Sequence, residues 1–340
     1  MPVPAGMGFP GAVAARCAPA FRLFPMTDSN ANRPPRLPRR EVHGVLLLDK
    51  PLGLSSNDAL VRAKRLLRAA KAGHTGTLDP LATGLLPLCF GEATKFSQDL
   101  LEADKTYDAE VRLGARSSTG DAEGELLDVR AVTCDRAAVE RVLASFVGEI
   151  EQVPPMHSAL KKDGRPLYEY ARAGQTVERA ARRVTIRSIA LLDCALPETP
   201  SFTMRVRCSK GTYIRTLAED IGEALGCGAH LTGLRRIAVG DLTLDGAVTL
   251  ARIEAQDDAQ RPAMLAPVDA LLQKCVPVQL DAAAAGRFLQ GQRIAQRDLP
   301  AGTVLAEESL ARVYAGEPAR LLGVARMREG ALRPERLVKL

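Results

Sequence analysis

Asp79 has the type and setting of a residue that could do chemistry. It lies in Gly73-His74-Thr75-Gly76-Thr77-Leu78-Asp79-Pro80-Leu81-Ala82-Thr83-Gly84, a stretch with too much Gly, Pro and Thr for a regular helix. An Asp before Pro is held extended or in polyproline II geometry, and the glycines let the backbone come close to a ligand. The loop therefore presents one carboxylate in a fixed direction. Local physics also allows a plainer role, an Asx-type turn in which the carboxylate bonds its own backbone. On these residues alone the turn is the favoured reading.

The flanking elements must hold this loop. Val45–Leu48 reads as a short buried strand ended by the turn Asp49-Lys50-Pro51-Leu52-Gly53. Ser55, Ser56 or Asn57 caps a helix over 57–70, with Leu60, Ala63 and Leu67 on one face. Arg62, Lys64, Arg65, Arg68 and Lys71 lie opposite, either a solvated side or a surface for a polyanion. An ordered loop over 73–84 leads to a strand at Leu85–Phe90 and a short helix over 92–101. Tyr107, Ala109, Val111 and Leu113 alternate as in a half-buried strand. Ser117–Gly124 is a polar turn, and Asp135 caps a helix reaching about Phe146. Strands are expected around Val184–Leu191 and Phe202–Cys208, then a helix over 215–225 ended by Gly226. Order is expected from Gly44 onward. Short strands at Val276–Leu280, Gly302–Ala306, Leu310–Tyr314 and Leu321–Arg326 mark a small β-rich domain over 276–340.

Composition narrows the function classes. The chain has 340 residues, enough for about two domains. Its net charge is +6, and residues 1–40 hold six Arg against Asp28, a net of +5. That leader, taken to 1–41, reads as disordered and basic, with Met26 a candidate start. A polyanionic partner would have to meet local basic patches. One such patch is 154–183, where Lys161, Lys162, Arg165, Arg172, Arg179, Arg182 and Arg183 surround Tyr168 and Tyr170, a mixture suited to phosphates and stacked bases. Seven scattered Cys without a C-x-x-C pair argue for reduced cytosolic thiols. The four His are far apart, so no local metal motif exists. No apolar run reaches the roughly 18 residues that span a bilayer.

Four motifs occur in order: Lys50-Pro51-Leu52-Gly53-Leu54-Ser55-Ser56, GHTGTLDPLATGLLPLCFGEATK, Lys105-Thr106-Tyr107, and Cys208-Ser209-Lys210-Gly211-Thr212-Tyr213-Ile214-Arg215-Thr216-Leu217. From about Gly44 to the C-terminus the chain resembles the bacterial tRNA pseudouridine synthase B (TruB) family. The resemblance implies an α+β fold, a mixed or antiparallel β-sheet core flanked by helices over 42–270, with a PUA-like C-terminal domain over 276–340. It implies isomerisation of uridine 55 in the tRNA T-loop, without cofactor or metal. The bond from C1′ to N1 breaks, and one from C1′ to C5 forms.

The same resemblance distributes roles. Asp79 is the catalytic carboxylate, attacking C6 or C1′ or acting as a base at C2′. Arg215 is the cation that keeps it ionised against burial, and Asp121 holds Arg215 in turn. The target base is flipped out of its stack onto Tyr107. His74 takes up the vacated space or contacts the flipped nucleotide. Tyr213 and Leu234 line the uracil pocket, while Lys50 and Pro51 brace the loop. The insertion 154–183 grips RNA, and the C-terminal domain touches the acceptor stem. The expected partner is tRNA through its T-arm, with no membrane and no obligate protein partner, for a cytoplasmic monomer.

Three other readings are weaker. An RNA-guided rRNA pseudouridine synthase shares the motifs but is disfavoured by the 154–183 insertion and the short C-terminal region. A non-catalytic RNA-binding module has no need of Asp79 or Arg215. A glycoside hydrolase needs a second, suitably placed carboxylate, and no candidate stands out.

Overall fold

The computed structural model describes residues 38–339. Its frame is a nine-stranded sheet. The main path runs Gly44–Lys50, Ala82–Phe90, Ala229–Val239, Lys105–Leu113, Ser201–Cys208, Arg182–Cys194 and Gly148–Gln152. Ala72–His74 pairs with Ala82–Phe90, and Leu242–Thr243 with Ala229–Val239. Neighbours are antiparallel with one exception: Ala82–Phe90 and Ala229–Val239 run parallel, with Leu234 opposite Ala82 and Arg236 opposite Gly84. Gly84 is required at this seam. Its φ is +95°, and a Cβ there would lie 2.3 Å from the Arg236 carbonyl oxygen.

Two apolar cores flank the seam. In one, the helices Arg136–Ser145 and Ile214–Ala224 place Val139, Leu143, Leu217 and Ile221 on Val111, Met204 and Leu231 of the sheet. In the other, the helix Ser56–Leu66 buries Ala59 and Ala63 against Leu46, Leu48, Leu86 and Leu88. Tyr107 and Leu234 border both cores.

A second, five-stranded sheet runs Val276–Leu280, Leu310–Ala315, Arg320–Arg328, Ala331–Leu337 and Ile294–Ala295. It closes over its own core with the helix Ala282–Leu289, which Asp281 caps. A mixed cluster joins it to the first sheet, with Val45, Cys89 and Phe96 meeting Leu321, Val324 and Val338. Polar ties cross the same junction, among them Lys95 Nζ to Leu337 O at 2.9 Å, Lys339 N to Glu92 Oε2 at 2.7 Å and Tyr314 OH to Asp269 Oδ2 at 2.6 Å.

Several expectations need correction. Order starts before Gly44, because Arg40 exchanges backbone bonds with Arg68 and Ala70 and its guanidinium reaches Leu67 O and Asp258. Residues 1–37 of the leader, with Met26, lie outside the described residues. The first helix stops at Leu66 rather than 70, and Arg68 has φ +53°. The 73–84 loop is shorter than expected, since strands occupy Ala72–His74 and Ala82–Gly84. The helix over 92–101 begins as a 3-10 turn, Gly91–Phe96, before the α-helical Ser97–Glu102. Residues 303–306 form no strand; Thr303 N bonds back to Pro300 O in a turn. The basic side of the first helix is partly consumed, because Arg62 pairs with Glu254 and Arg68 with Asp258. The 154–183 segment carries regular structure, a hairpin of Lys161–Lys162 with Arg165–Pro166 and a helix Leu167–Arg172 anchored by buried Leu167.

Candidate active site

The Asp79 loop is held from below by the preceding turn. Ser56, 1% exposed, donates from Oγ to Leu78 O at 3.0 Å and accepts from Leu78 N at 2.7 Å. Gly53 N donates to Pro80 O at 2.9 Å, so bonds grip both neighbours of Asp79. Lys50 is fully buried and ties the turn itself, donating to Pro51 O at 2.9 Å and Leu54 O at 2.6 Å. Burial pulls its ammonium down to about 8, while the attraction of Asp79 works against that. Pro51 is exposed and outside the cleft.

Arg215 arrives from the opposite side as the second residue of the helix Ile214–Ala224. A cation in the first turn opposes the helix dipole, so other groups must hold it there. Its Nη2 lies 2.7 Å from Asp79 Oδ2, and its Nη1 3.6 Å from Asp121 Oδ2. It also donates to Thr119 O at 2.9 Å and His157 O at 2.7 Å. Asp121 is buried, and its Oδ1 accepts from Thr119 Oγ1 at 2.5 Å and Glu123 N at 3.1 Å. It is therefore both a turn residue and a partner of the guanidinium. Tyr213, the helix N-cap, makes no side-chain cap bond. Gln152, buried on the edge strand, supplies the missing support, accepting from Tyr213 N at 3.1 Å and donating to Tyr213 O at 3.3 Å.

One buried guanidinium thus faces two carboxylates, Asp121 buried and Asp79 open to the cleft. Burial pushes the Asp79 carboxyl above its ordinary range; Arg215 opposes that shift, and Asp121 adds to it. The Asp79 side chain keeps 39% of its surface open, on the side of a cleft of about 610 Å³. His74, Tyr107, Tyr213, Leu234, Asp79 and Arg215 all line this cleft, whereas Asp121, Lys50 and Pro51 do not. Six of the nine residues singled out in the sequence converge there, with Asp121 and Lys50 in support. Burial, followed by the charge of Arg236, favours neutral His74. Burial also raises the phenols of Tyr107 and Tyr213. His74 Nδ1 is buried at the wall without a protein partner, as expected of a group that meets a polar ligand.

Sequence reasoning missed four residues. Arg236, 1% exposed, lines the cleft and donates to Leu85 O at 2.7 Å and Gly76 O at 3.2 Å. Lys105 spends its ammonium on the carbonyls of Leu100, Leu101 and Ala103. Ser56 and Gln152 grip the backbone on either side. Ser56 and Lys105 lie within the quoted motifs but carry no assigned role, and no local signal marks Gln152 or Arg236, because each acts on a partner that residue type does not reveal.

Outside the cleft, Lys161, Lys162, Arg165, Arg172, Arg182 and Arg183 are exposed. Arg165 stands 4.8 Å over the Tyr170 ring and Arg172 5.3 Å over Tyr168, so each ring is already covered on one face. Among the described residues no group of His, Cys, Asp and Glu is placed to hold a metal, and no helix is long and apolar enough to cross a membrane.

This mixed sheet, with a carboxylate cleft at its parallel seam, has counterparts in fold among solved structures. The chain is similar to the crystal structure of a Cbf5-Nop10-Gar1 complex, with TM-score 0.62 and 25% identity over 91% of this chain and 92% of that one. It is also similar in fold to an H/ACA RNP bound to a substrate RNA containing 2'-deoxyuridine, with TM-score 0.64 and 24% identity over 91% and 92%. Family models match in succession. The TruB family pseudouridylate synthase N-terminal domain covers residues 64–214, the tRNA pseudouridylate synthase B C-terminal domain 215–273, and the pseudouridine synthase II TruB C-terminal region 277–338. The tRNA pseudouridine synthase B of Cupriavidus taiwanensis is 96% identical over 93% of this chain and 100% of its own length. That of Cupriavidus pinatubonensis is 80% identical over the same shares. The chain belongs to the TruB family of pseudouridine synthases.

Proposed function

We propose that this protein converts uridine 55 in the T-loop of tRNA to pseudouridine, with Asp79 as the nucleophile. The observation that carries the reading is the Asp79–Arg215 pair, 2.7 Å apart at the wall of a cleft that also presents Tyr107, Tyr213 and Leu234. Its relatives are named tRNA pseudouridine synthase B, which supports tRNA as the substrate.

The target base sits in a stack and must be extruded to reach the carboxylate. Tyr107 offers a face to stack on, Leu234 and Tyr213 bound the pocket, and His74 meets the displaced or flipped nucleotide. Arg215 keeps Asp79 ionised despite burial, with Asp121 and the carbonyls of Thr119 and His157 fixing the guanidinium. The walls retain the detached base while it turns to present C5. No external group enters, so the reaction is an isomerisation. The exposed cations of 161–183 grip the phosphates near the cleft, and the second sheet, as a separate PUA-like domain, reaches the acceptor stem. The protein works as a monomer in the cytoplasm.

The test uses a tRNA T-arm stem-loop. Asp79→Asn should abolish pseudouridine formation while binding the RNA as tightly as wild type. Turnover retained by that variant would remove Asp79 from the chemistry, and wild-type activity at another uridine would overturn the choice of position.

A further inference from the structure

We infer that Arg236 is a catalytic residue in its own right, the cation that stabilises the uracil anion released when the glycosidic bond opens. This deepens the proposed function and rests on it. When C1′–N1 breaks, both bonding electrons leave with the base, and the charge spreads over N1 and the two carbonyl oxygens. C1′ is left electron-deficient; with Asp79 as the nucleophile its carboxylate bonds C1′, and that C–O bond breaks again when C5 attacks. After rotation, C5 gives an electron pair to C1′; the C5 proton is then lost and N1 gains one, so composition is unchanged.

The departing anion forms in a setting that disfavours it. Arg215 is shared by Asp79 and Asp121, and that trio carries a net charge of −1. A second fixed cation is required, and the cations lining the cleft differ in what they have left to offer. Lys105 gives its three N–H bonds to the carbonyls of Leu100, Leu101 and Ala103. Lys210 is exposed and paired with Glu102. His74 is held toward its neutral form.

Arg236 is different. It is 1% exposed, so water does little to weaken its field. Its Nε and Nη2 are held by Leu85 O at 2.7 Å and Gly76 O at 3.2 Å, which fixes the plane of the guanidinium. Nη1 and the second hydrogen of Nη2 have no backbone partner; beside them at the cleft wall stands the Tyr107 phenol, a neutral group that leaves the positive charge uncompensated. The backbone of Arg236 is paired with Tyr107 on one side and Gly84 on the other, beside the proposed stacking ring. A charge fixed beforehand, in a dry site, where new charge appears is the arrangement that favours a transition state.

The experiment varies the leaving group. Stem-loops carry uridine or 5-fluorouridine at the target position, and single-turnover loss of the N1-linked nucleoside is followed after nuclease digestion. Fluorine stabilises the uracil anion, so a 5-fluorouracil leaving group depends less on Arg236. Arg236→Gln should slow the uridine substrate about 100-fold, in the range of a lost oxyanion donor, and the 5-fluorouridine substrate about 10-fold or less, with RNA affinity unchanged. Arg236→Lys keeps the charge and should show a smaller gap between the substrates; it also serves if the Gln variant fails to fold. Equal losses on both substrates, or a Lys variant as sensitive to the leaving group as Gln, would overturn the inference. Asp79→Asn, run alongside, separates the two ideas. Turnover by that variant defeats the proposed function, whereas equal losses in the Arg236 variants defeat only the role of Arg236.

Discussion

Ser56 and Leu78 exchange two hydrogen bonds across 22 residues: the hydroxyl donates to the Leu78 carbonyl at 3.0 Å and accepts from its amide at 2.7 Å. Leu78 directly precedes Asp79, so a buried serine sets the backbone that aims the carboxylate. Ser56→Ala leaves both Leu78 groups buried and unpaired, at a cost of about 1–3 kcal/mol. Denaturant titration should show that loss. Steady-state kinetics should show kcat reduced about 10-fold or more, as a misplaced catalytic group predicts, with little change in KM. An unchanged kcat would mean that the loop holds its shape without Ser56.

The raised Asp79 carboxyl has two consequences for pH. Activity needs the charged form, so kcat/KM should fall on the acid side with an apparent pKa above the ordinary 3.8 of an aspartate. Arg215→Lys weakens the planar two-nitrogen grip and should move that limb higher while lowering the plateau. For stability the sign is opposite to that of a salt-bridged carboxylate with a depressed pKa. Between 3.8 and the raised value the folded protein holds a proton that the unfolded chain has lost, so this group's contribution declines as pH rises through that window. Asp79→Asn should therefore melt no lower than wild type at pH 7 although it is inactive; a marked drop in melting temperature would show that the ion pair outweighs the burial.

Gln152 acts at the other side of the cleft. Gln152→Leu removes both bonds to Tyr213 and frees the start of the helix that carries Arg215. The expected result is a loss of about 1–3 kcal/mol in stability and a fall in kcat, with RNA affinity held. Gln152→Glu keeps the oxygen that accepts from Tyr213 N and should recover part of kcat. If both variants turn over at the wild-type rate, the helix start needs no such support.

The exposed cations of the insertion should act through charge alone. Replacing Lys161 and Arg182 together by Ala should weaken T-arm binding. The slope of log affinity against log salt should fall by about 1 for each phosphate left without its cation. The rate at saturating RNA should stay constant. A slope that does not change would place the phosphates elsewhere.

Much of this arrangement was legible in the sequence, and the limits have physical causes. Alternation in Lys105–Leu113 and Ser201–Cys208 shows their inward faces, because each has one face on the core. Gly148–Gln152 has one apolar residue in five, and Ala331–Leu337 interrupts its pattern with Pro334 and charges, so neither looks like a strand. Ala229–Val239 is concealed by Gly233 and the Arg235–Arg236 pair, and Arg236 looks like a solvated charge until the neighbours of its strand are known. The motif residues Asp79 and Arg215 were identifiable through family resemblance. Their common support was not, since Ser56, Gln152 and Arg236 each bond to backbone far along the chain, and backbone partners leave no mark on residue type.

The parallel seam also constrains how the protein is made. The strand Ala229–Val239 lies between two strands synthesised more than a hundred residues earlier, and it brings Leu234 and Arg236 to the cleft wall. Until it is made, Ala82–Phe90 and Lys105–Leu113 lack the strand that joins them, and an unpaired strand edge is open to pairing with other chains. Translation therefore delivers the nucleophile early and the completed pocket late.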